Sequence, residues 1–365
     1  MKKKIKLVSL LIAILNISYS LSFSAEGKVG KSIKTEYEKD YTKSSLTVIQ
    51  TFSGDSGKYD TKSSHSFALL DYNFNKNWSL LLQWERFLNL YDYKGQENQI
   101  NNDFHVPKIA INYQEEQIGE SKIVLNTQWG ARQFDYFKSS QNQIWSWVNV
   151  GFDFKNYFPK FESLEVIKFS LMPMFIHGWY TDKKDNDLGY MNHVSLNLLS
   201  QYKLPKDFYL QLDFFLSKEF YDGNYRLSNT DGTTYDSATY LGFYAWLEYS
   251  KEVYKFNKQL NLSFNFATGF DPFVVSDRDA KGWVPPYWML SNTYEWPTPV
   301  ATNSGDYNEM WALFALPELE LNYSFNEDLN MSLFAGGKYS NKTWGGKGKE
   351  FKFQPQVGFT INYNF

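Results

Sequence analysis

The sequence predicts an all-β protein: an antiparallel, up-and-down transmembrane β-barrel of about fourteen strands, with twelve or sixteen as the neighbouring counts. Three observations predict it. Apolar and polar residues alternate over many segments of strand length. Short connections alternate with long ones along the whole chain. Aromatic residues reach 19%, yet the mean hydropathy is −0.48. A soluble sandwich that binds carbohydrate would also suit rings in a polar chain, but it has no reason to alternate its connection lengths.

The chain opens with a positive run, Lys2, Lys3, Lys4 and Lys6, followed by an apolar stretch from Leu7 to Leu15 and small residues at Ser22 and Ser24. This pattern is that of a secretory signal peptide, 1–24, with cleavage after Ser24. The apolar run is shorter than the about 18–20 residues of a spanning helix. The signal holds four lysines and no acids, which leaves 33 basic against 40 acidic residues, a net charge of −7. No basic stripe stands out, so nucleic acid is not an expected partner. With no cysteine in the chain, backbone pairing and packing must hold the exported domain, 25–365, together.

Six short connections stand at 73–78, 114–121, 155–163, 203–208, 254–259 and 325–330. The longer ones are 54–63, 92–104, 138–143, 181–187, 222–236, 270–307 and 341–349. The strands between them are expected at 40–53, 64–75, 77–91, 105–117, 122–137, 144–155, 164–180, 188–203, 207–221, 237–254, 259–270, 308–325, 328–340 and 351–365. Segment 25–39 either extends the first strand or precedes it.

Parity separates two faces, because successive side chains on a strand point opposite ways. Trp78, Leu80, Leu82 and Trp84 oppose Ser79, Gln83 and Glu85. Val148, Val150, Phe152 and Phe154 oppose Asn149, Gly151 and Asp153. Leu260, Leu262, Phe264 and Phe266 oppose Asn261, Ser263 and Asn265. The last strand sets Val357, Phe359, Ile361, Tyr363 and Phe365 against Gly358, Thr360, Asn362 and Asn364. One face suits lipid and the other water, and only closure leaves no bare sheet edge in hydrocarbon. Rings flank the short turns at Phe74, Trp78, Tyr113, Phe154, Tyr202, Phe208, Tyr254, Tyr323, Phe325, Tyr363 and Phe365, as in an interfacial girdle.

The hairpin "ALPELELNYSFNEDLNMSLFAGGKYS", 315–340, resembles one from the outer-membrane protein G family of monomeric porins. A weaker likeness runs through "VPKIAINYQEEQIGESKIVLNTQWGARQFDY", 106–136, and the end "VGFTINYNF" is similar to that family's terminal strand. The resemblance implies a monomer in the bacterial outer membrane, with outer-membrane lipid around it. It also implies that the barrel-assembly machinery recognises the chain through Phe365. The family's pH-dependent histidine pair has no counterpart, since no histidine follows His193.

Parity places eleven charged residues on the inner, pore-lining face. The acids are Asp71, Glu85, Asp213, Glu248, Glu318 and Glu320, and the bases are Lys108, Arg132, Lys168, Lys338 and Lys352. This near balance, with the net −7, predicts weak, slightly cationic selectivity. The longest connection, 270–307, carries Trp283, Tyr287, Trp288, Tyr294 and Trp296, stiffened by Pro285, Pro286, Pro297 and Pro299. Its position resembles that family's gating loop, so it is expected to cap or enter the mouth; its rings would also stack on sugars. His177 and His193 fall on opposite faces. His193, Ser195 and Asn197 share one face and are partly similar to the outer-membrane phospholipase set, but that set faces lipid and these face inward. No catalytic residue, metal ligand or cofactor is assigned. The expected function is passive diffusion of small hydrophilic solutes and ions. An oligosaccharide-preferring channel is the alternative within transport. A lipid-degrading barrel enzyme and an adhesin are the alternatives of other classes.

Overall fold

The computed structural model describes residues 43–55, 63–89, 104–136, 141–159, 161, 163–182, 187–222, 227–228, 233–278, 309–340 and 351–365. The expected signal peptide, segment 25–39 and all five rings assigned to the gating loop lie outside these residues.

Alternation becomes strands in chain order: β1 Ser45–Ser53, β2 Ser63–Asn73, β3 Trp78–Asn89, β4 Phe104–Glu115, β5 Val124–Tyr136, β6 Gln141–Asp153, β7 Glu165–Asp182, β8 Asp187–Leu204 and β9 Phe208–Tyr221. A two-stranded hairpin, β10 Leu227–Ser228 and β11 Thr234–Tyr235, stands within the next long connection. Then follow β12 Ser237–Lys255, β13 Leu260–Ser276, β14 Glu309–Ser324, β15 Leu329–Ser340 and β16 Lys352–Asn364. Each of the fourteen long strands pairs antiparallel with its neighbours, and β1 pairs with β16 to close the barrel. Closure is completed beyond the strands, where Ser44 and Phe365 exchange two backbone hydrogen bonds of 3.0 and 2.9 Å. Most boundaries fall within three residues of expectation, but β1 begins at Ser45 rather than at 40, and one strand runs well beyond its expected end. β13 runs on to Ser276, because a bulge between Phe270 and Phe273 absorbs the irregular stretch and pairing with β14 resumes.

Three of the short turns share one construction. Asn75 Oδ1 accepts from the backbone N–H groups of Asn77 and Trp78, at 2.8 and 3.0 Å. Asn257 does the same for Gln259 and Leu260, at 2.8 and 2.9 Å, and Asn326 for Asp328 and Leu329, at 2.9 Å each. The short amide thus stands in for backbone partners that the turn removes. Before each asparagine stands a Tyr-Xaa-Phe set whose rings meet edge to face: Tyr72 with Phe74, Tyr254 with Phe256 and Tyr323 with Phe325. Tyr363 and Phe365 repeat the aromatic half of this motif at the close of β16. The six rings of the three turns are all exposed on the outer face, forming much of a girdle at the short-turn end.

The outer wall between the ends is apolar and open. Leu82, Ile109, Trp129, Val148, Phe175, Leu196, Leu216, Leu319, Leu333 and Val357 are exposed there, whereas on β1 and β2 the outward Gln50, Ser64 and Ser66 are buried and hydrogen-bonded to one another. The packed core lies inside the barrel.

Candidate functional site

The inner wall divides into two halves. Toward the short turns it is lined by half-buried amides and hydroxyls joined across strands. Gln128 Nε2 donates to Asn112 Oδ1 at 2.7 Å, and Thr47 Oγ1 donates to Asn362 Oδ1 at 2.9 Å. Ser250 Oγ donates to Asn265 Oδ1 at 2.8 Å. Asn265 Nδ2 in turn donates to Glu318 and Glu320, at 3.2 and 2.7 Å.

Toward the long connections the inner wall turns aromatic. Phe134, Trp145, Trp147, Phe215, Tyr240, Tyr244, Trp246, Phe314 and Phe334 all face inward and are buried. A glycine directly across the ladder receives four of these rings. Trp147 faces Gly130, Trp145 faces Gly178, Phe215 faces Gly242 and Phe334 faces Gly358. A Cβ at Gly130 would lie 2.2 Å from Trp147 Cζ2, and one at Gly242 would lie 2.4 Å from Phe215 Cζ. The missing Cβ lets each ring lie flat on the wall instead of projecting across the lumen. Parity had predicted a hydrated inner face throughout. That holds for the short-turn half and fails for the other, where strands such as β7 carry apolar residues on both faces: Met172, Met174 and Ile176 inward, Leu171 and Phe175 outward.

All eleven charged residues picked by parity stand on inward positions of their strands. Asp71 is on β2, Glu85 on β3, Lys108 on β4, Arg132 on β5, Lys168 on β7, Asp213 on β9 and Glu248 on β12. Glu318 and Glu320 are on β14, Lys338 on β15 and Lys352 on β16. The fold brings three of them together. Lys108 and Arg132 are direct partners between β4 and β5, and the Glu85 carboxylate acts on both. His65 Nε2 lies 3.3 Å from Glu85 Oε2, and Gln83 Nε2 donates to the other oxygen. Rings back the cations: Lys108 Nζ lies 5.5 Å from the Trp147 ring and Arg132 4.5 Å from Phe134. A buried charge group of this kind persists because its members compensate one another. Elsewhere Asp213 binds the Ser200 N–H at 3.0 Å and Gln211 Nε2 at 2.5 Å, while Lys338 stacks on Phe314. The acids Asp213, Glu248, Glu318 and Glu320 fall on the β9–β14 arc; Lys108 and Arg132 stand across the ring from it.

Sequence reading missed a second buried pair. His193 Nδ1 lies 3.0 Å from Glu219 Oε1, and the Tyr221 hydroxyl donates to the other oxygen. Glu219 belongs to the same inward parity as Asp213 and could have been found on it. His177, as expected, takes the opposite face, where it meets Asn192 at 2.6 Å. Ser195 Oγ accepts from Asn197 Nδ2 at 3.0 Å, and His193, Ser195 and Asn197 are all buried inside the barrel, away from the outer wall. No group of three or more metal-ligating side chains occurs among the described residues.

No protein-family model matches the chain, and no curated protein sequence matches it. Solved structures similar to it include a bacterial polysaccharide outer membrane secretin, at 8% identity and a TM-score of 0.37, covering 90% of this chain and 100% of that one. The NanC porin is 9% identical with a TM-score of 0.35, covering 87% and 98%. The COG4313 outer membrane channel from Pseudomonas putida F1 is 9% identical with a TM-score of 0.32, covering 94% and 98%. The likeness is one of barrel architecture.

Proposed function

We propose that the protein is an outer-membrane channel that passes small hydrophilic solutes and ions by diffusion. The observation that carries this is the contrast between the two faces of one wall. The outer face is apolar, open and edged by aromatic rings, which suits a bilayer. The inner face of the short-turn half is lined with half-exposed amides, hydroxyls and carboxylates, which suits water and solutes. Selection falls to the aromatic half and to the charges on its border. The acidic arc favours cations weakly, and the Glu85, Lys108 and Arg132 group offsets that preference.

No catalytic role is assigned. The connection between β13 and β14 enters on its sequence alone, as a constriction of the mouth through Trp283, Tyr287, Trp288, Tyr294 and Trp296. Deletion of 280–300 would then change open time or flicker. The resemblance adds a monomer, assembled through Phe365. Oligosaccharides form the second solute class on the sequence alone, because the rings of the 270–307 connection would stack on sugars. Ion current through the folded chain in a planar bilayer tests the proposal. Discrete, weakly cation-selective steps support a channel, and block by added oligosaccharide would narrow it to saccharides. A folded, inserted barrel that carries no current refutes it.

A further inference from the structure

The outer wall is uncharged along most of β13 to β16. The outward positions from Leu260 to Phe270, Leu313 to Tyr323, Leu329 to Tyr339 and Phe353 to Tyr363 contain no charged side chain. The arc formed by β7, β8 and β9 departs from this near its long-connection end. Three rows of outward side chains lie there, set by the ladder. Phe175, Val194 and Lys218 form the first, His177, Asn192 and Phe220 the second, and Trp179 with Tyr190 the third. Below them the wall is apolar and exposed, through Leu171, Leu196, Phe214 and Leu216.

Lys218 stands at the border. It is exposed, its ammonium lies 5.4 Å over the Phe220 ring, and no acid bridges it among the described residues. Its neighbour Glu219 points inward to His193, and Asp222, farther up, is engaged by the Tyr190 hydroxyl. His177 packs between the Trp179 and Tyr190 rings, at 4.2 and 5.4 Å, and occupies Asn192 Oδ1, which leaves the Asn192 amide N–H groups as donors beside Lys218. A cation with no acid partner among the described residues, at the upper edge of hydrocarbon and with Trp and Tyr rings above it, sits where a lysine meets lipid headgroups. Phosphate oxygens would accept from both the ammonium and the amide.

We propose that this patch seats the phosphate of an anionic lipid headgroup in the leaflet at the long-connection end. It rests on the reading of the outer wall as membrane-facing. Because the chain has no cysteine, one fluorophore can be placed at Val194→Cys and, separately, at Leu333→Cys on the uncharged arc. Each folded barrel enters phosphatidylcholine vesicles that contain a minor fraction of phosphatidylglycerol, with one lipid or the other brominated as quencher. The expected result is about fivefold enrichment of the anionic lipid at 194, the worth of one lysine at a charged membrane surface. Position 333 should show none, and Lys218→Gln should abolish the enrichment at 194. Equal quenching at both positions, or enrichment that survives Lys218→Gln, overturns the site. Enrichment lost on adding inorganic phosphate overturns the lipid as its occupant. Quenching by neither lipid means that the wall never met a bilayer, which overturns the membrane reading itself.

Discussion

Substituting Gly130 by alanine tests the flat-ring architecture directly. The new Cβ would stand 2.2 Å from Trp147 Cζ2 and 2.7 Å from Cε2 and Cη2, where ordinary carbon contacts need about 3.5–4 Å. Between one and two ångströms must therefore open, roughly, and the ring has little freedom to yield along the wall. Its Nε1 donates to Gln128 Oε1 at 2.7 Å, and Lys108 covers its face. The indole must leave the wall and swing into the lumen, or the two strands must part. Overpacking of this kind costs about 1–3 kcal/mol, and the lost hydrogen bond adds about 1 kcal/mol. Urea unfolding of the barrel in lipid vesicles should register the loss as a lower midpoint. Single-channel conductance should fall as well, since the displaced ring enters the pathway. Adding Trp147→Ala to Gly130→Ala should restore part of the stability, so that the two changes couple. A midpoint within about 0.5 kcal/mol of the parent, together with unchanged conductance, would refute the reasoning.

Other perturbations separate the remaining parts. Glu85→Gln removes the carboxylate that His65, Lys108 and Arg132 share; breaking a buried charge group costs about 3–5 kcal/mol, and reversal potentials should move toward anions. Glu320→Gln sits in the half-exposed lining and keeps its place beside Asn265, so it should leave the unfolding midpoint within about 0.5 kcal/mol while reducing cation preference. Asn326→Ala strips two backbone N–H groups of their acceptor at 2.9 Å, and urea titration should show a loss of about 1 kcal/mol, since exposed groups can turn to water instead. If Phe365 guides assembly, Phe365→Ala should lower the yield of folded barrel at equal synthesis, followed by its heat-modifiable mobility on gels.

Much of this architecture was legible in the chain because a barrel wall writes its two solvents into alternate residues. The expected fourteenth strand, 351–365, and the observed Lys352–Asn364 differ only at their ends. The inward placement of the charged residues was legible for the same reason: Glu318 and Glu320 share a parity with Asn322. The aromatic half was not. Where β6 sends Trp145 and Trp147 inward while Ile144 and Val148 face outward, both faces are apolar and parity carries no signal. Its cause is register. Gly130 opposes Trp147 only once β5 and β6 are paired, and no local pattern within either strand foretells that alignment. The His65 and Glu85 pair was hidden likewise, since twenty residues and a turn separate its members.

The repeated Tyr-Xaa-Phe-Asn turn carries a topological consequence. At three places Phe N–H reaches across three intervening residues to the carbonyl of the next strand's first residue, as Phe74 does to Trp78 at 3.0 Å. Phe365 makes a similar reach to Ser44, the residue before β1, at 2.9 Å. The seam between β1 and β16 is therefore a turn of the same kind with its linker cut out. A three-residue Asn-Lys-Asn bridge from Phe365 to Ser44 would make the wall one continuous ring of hairpins. New ends could then be opened after Phe74 or Phe325, and the resulting permutants would keep every ladder pairing while changing which strand is synthesised last.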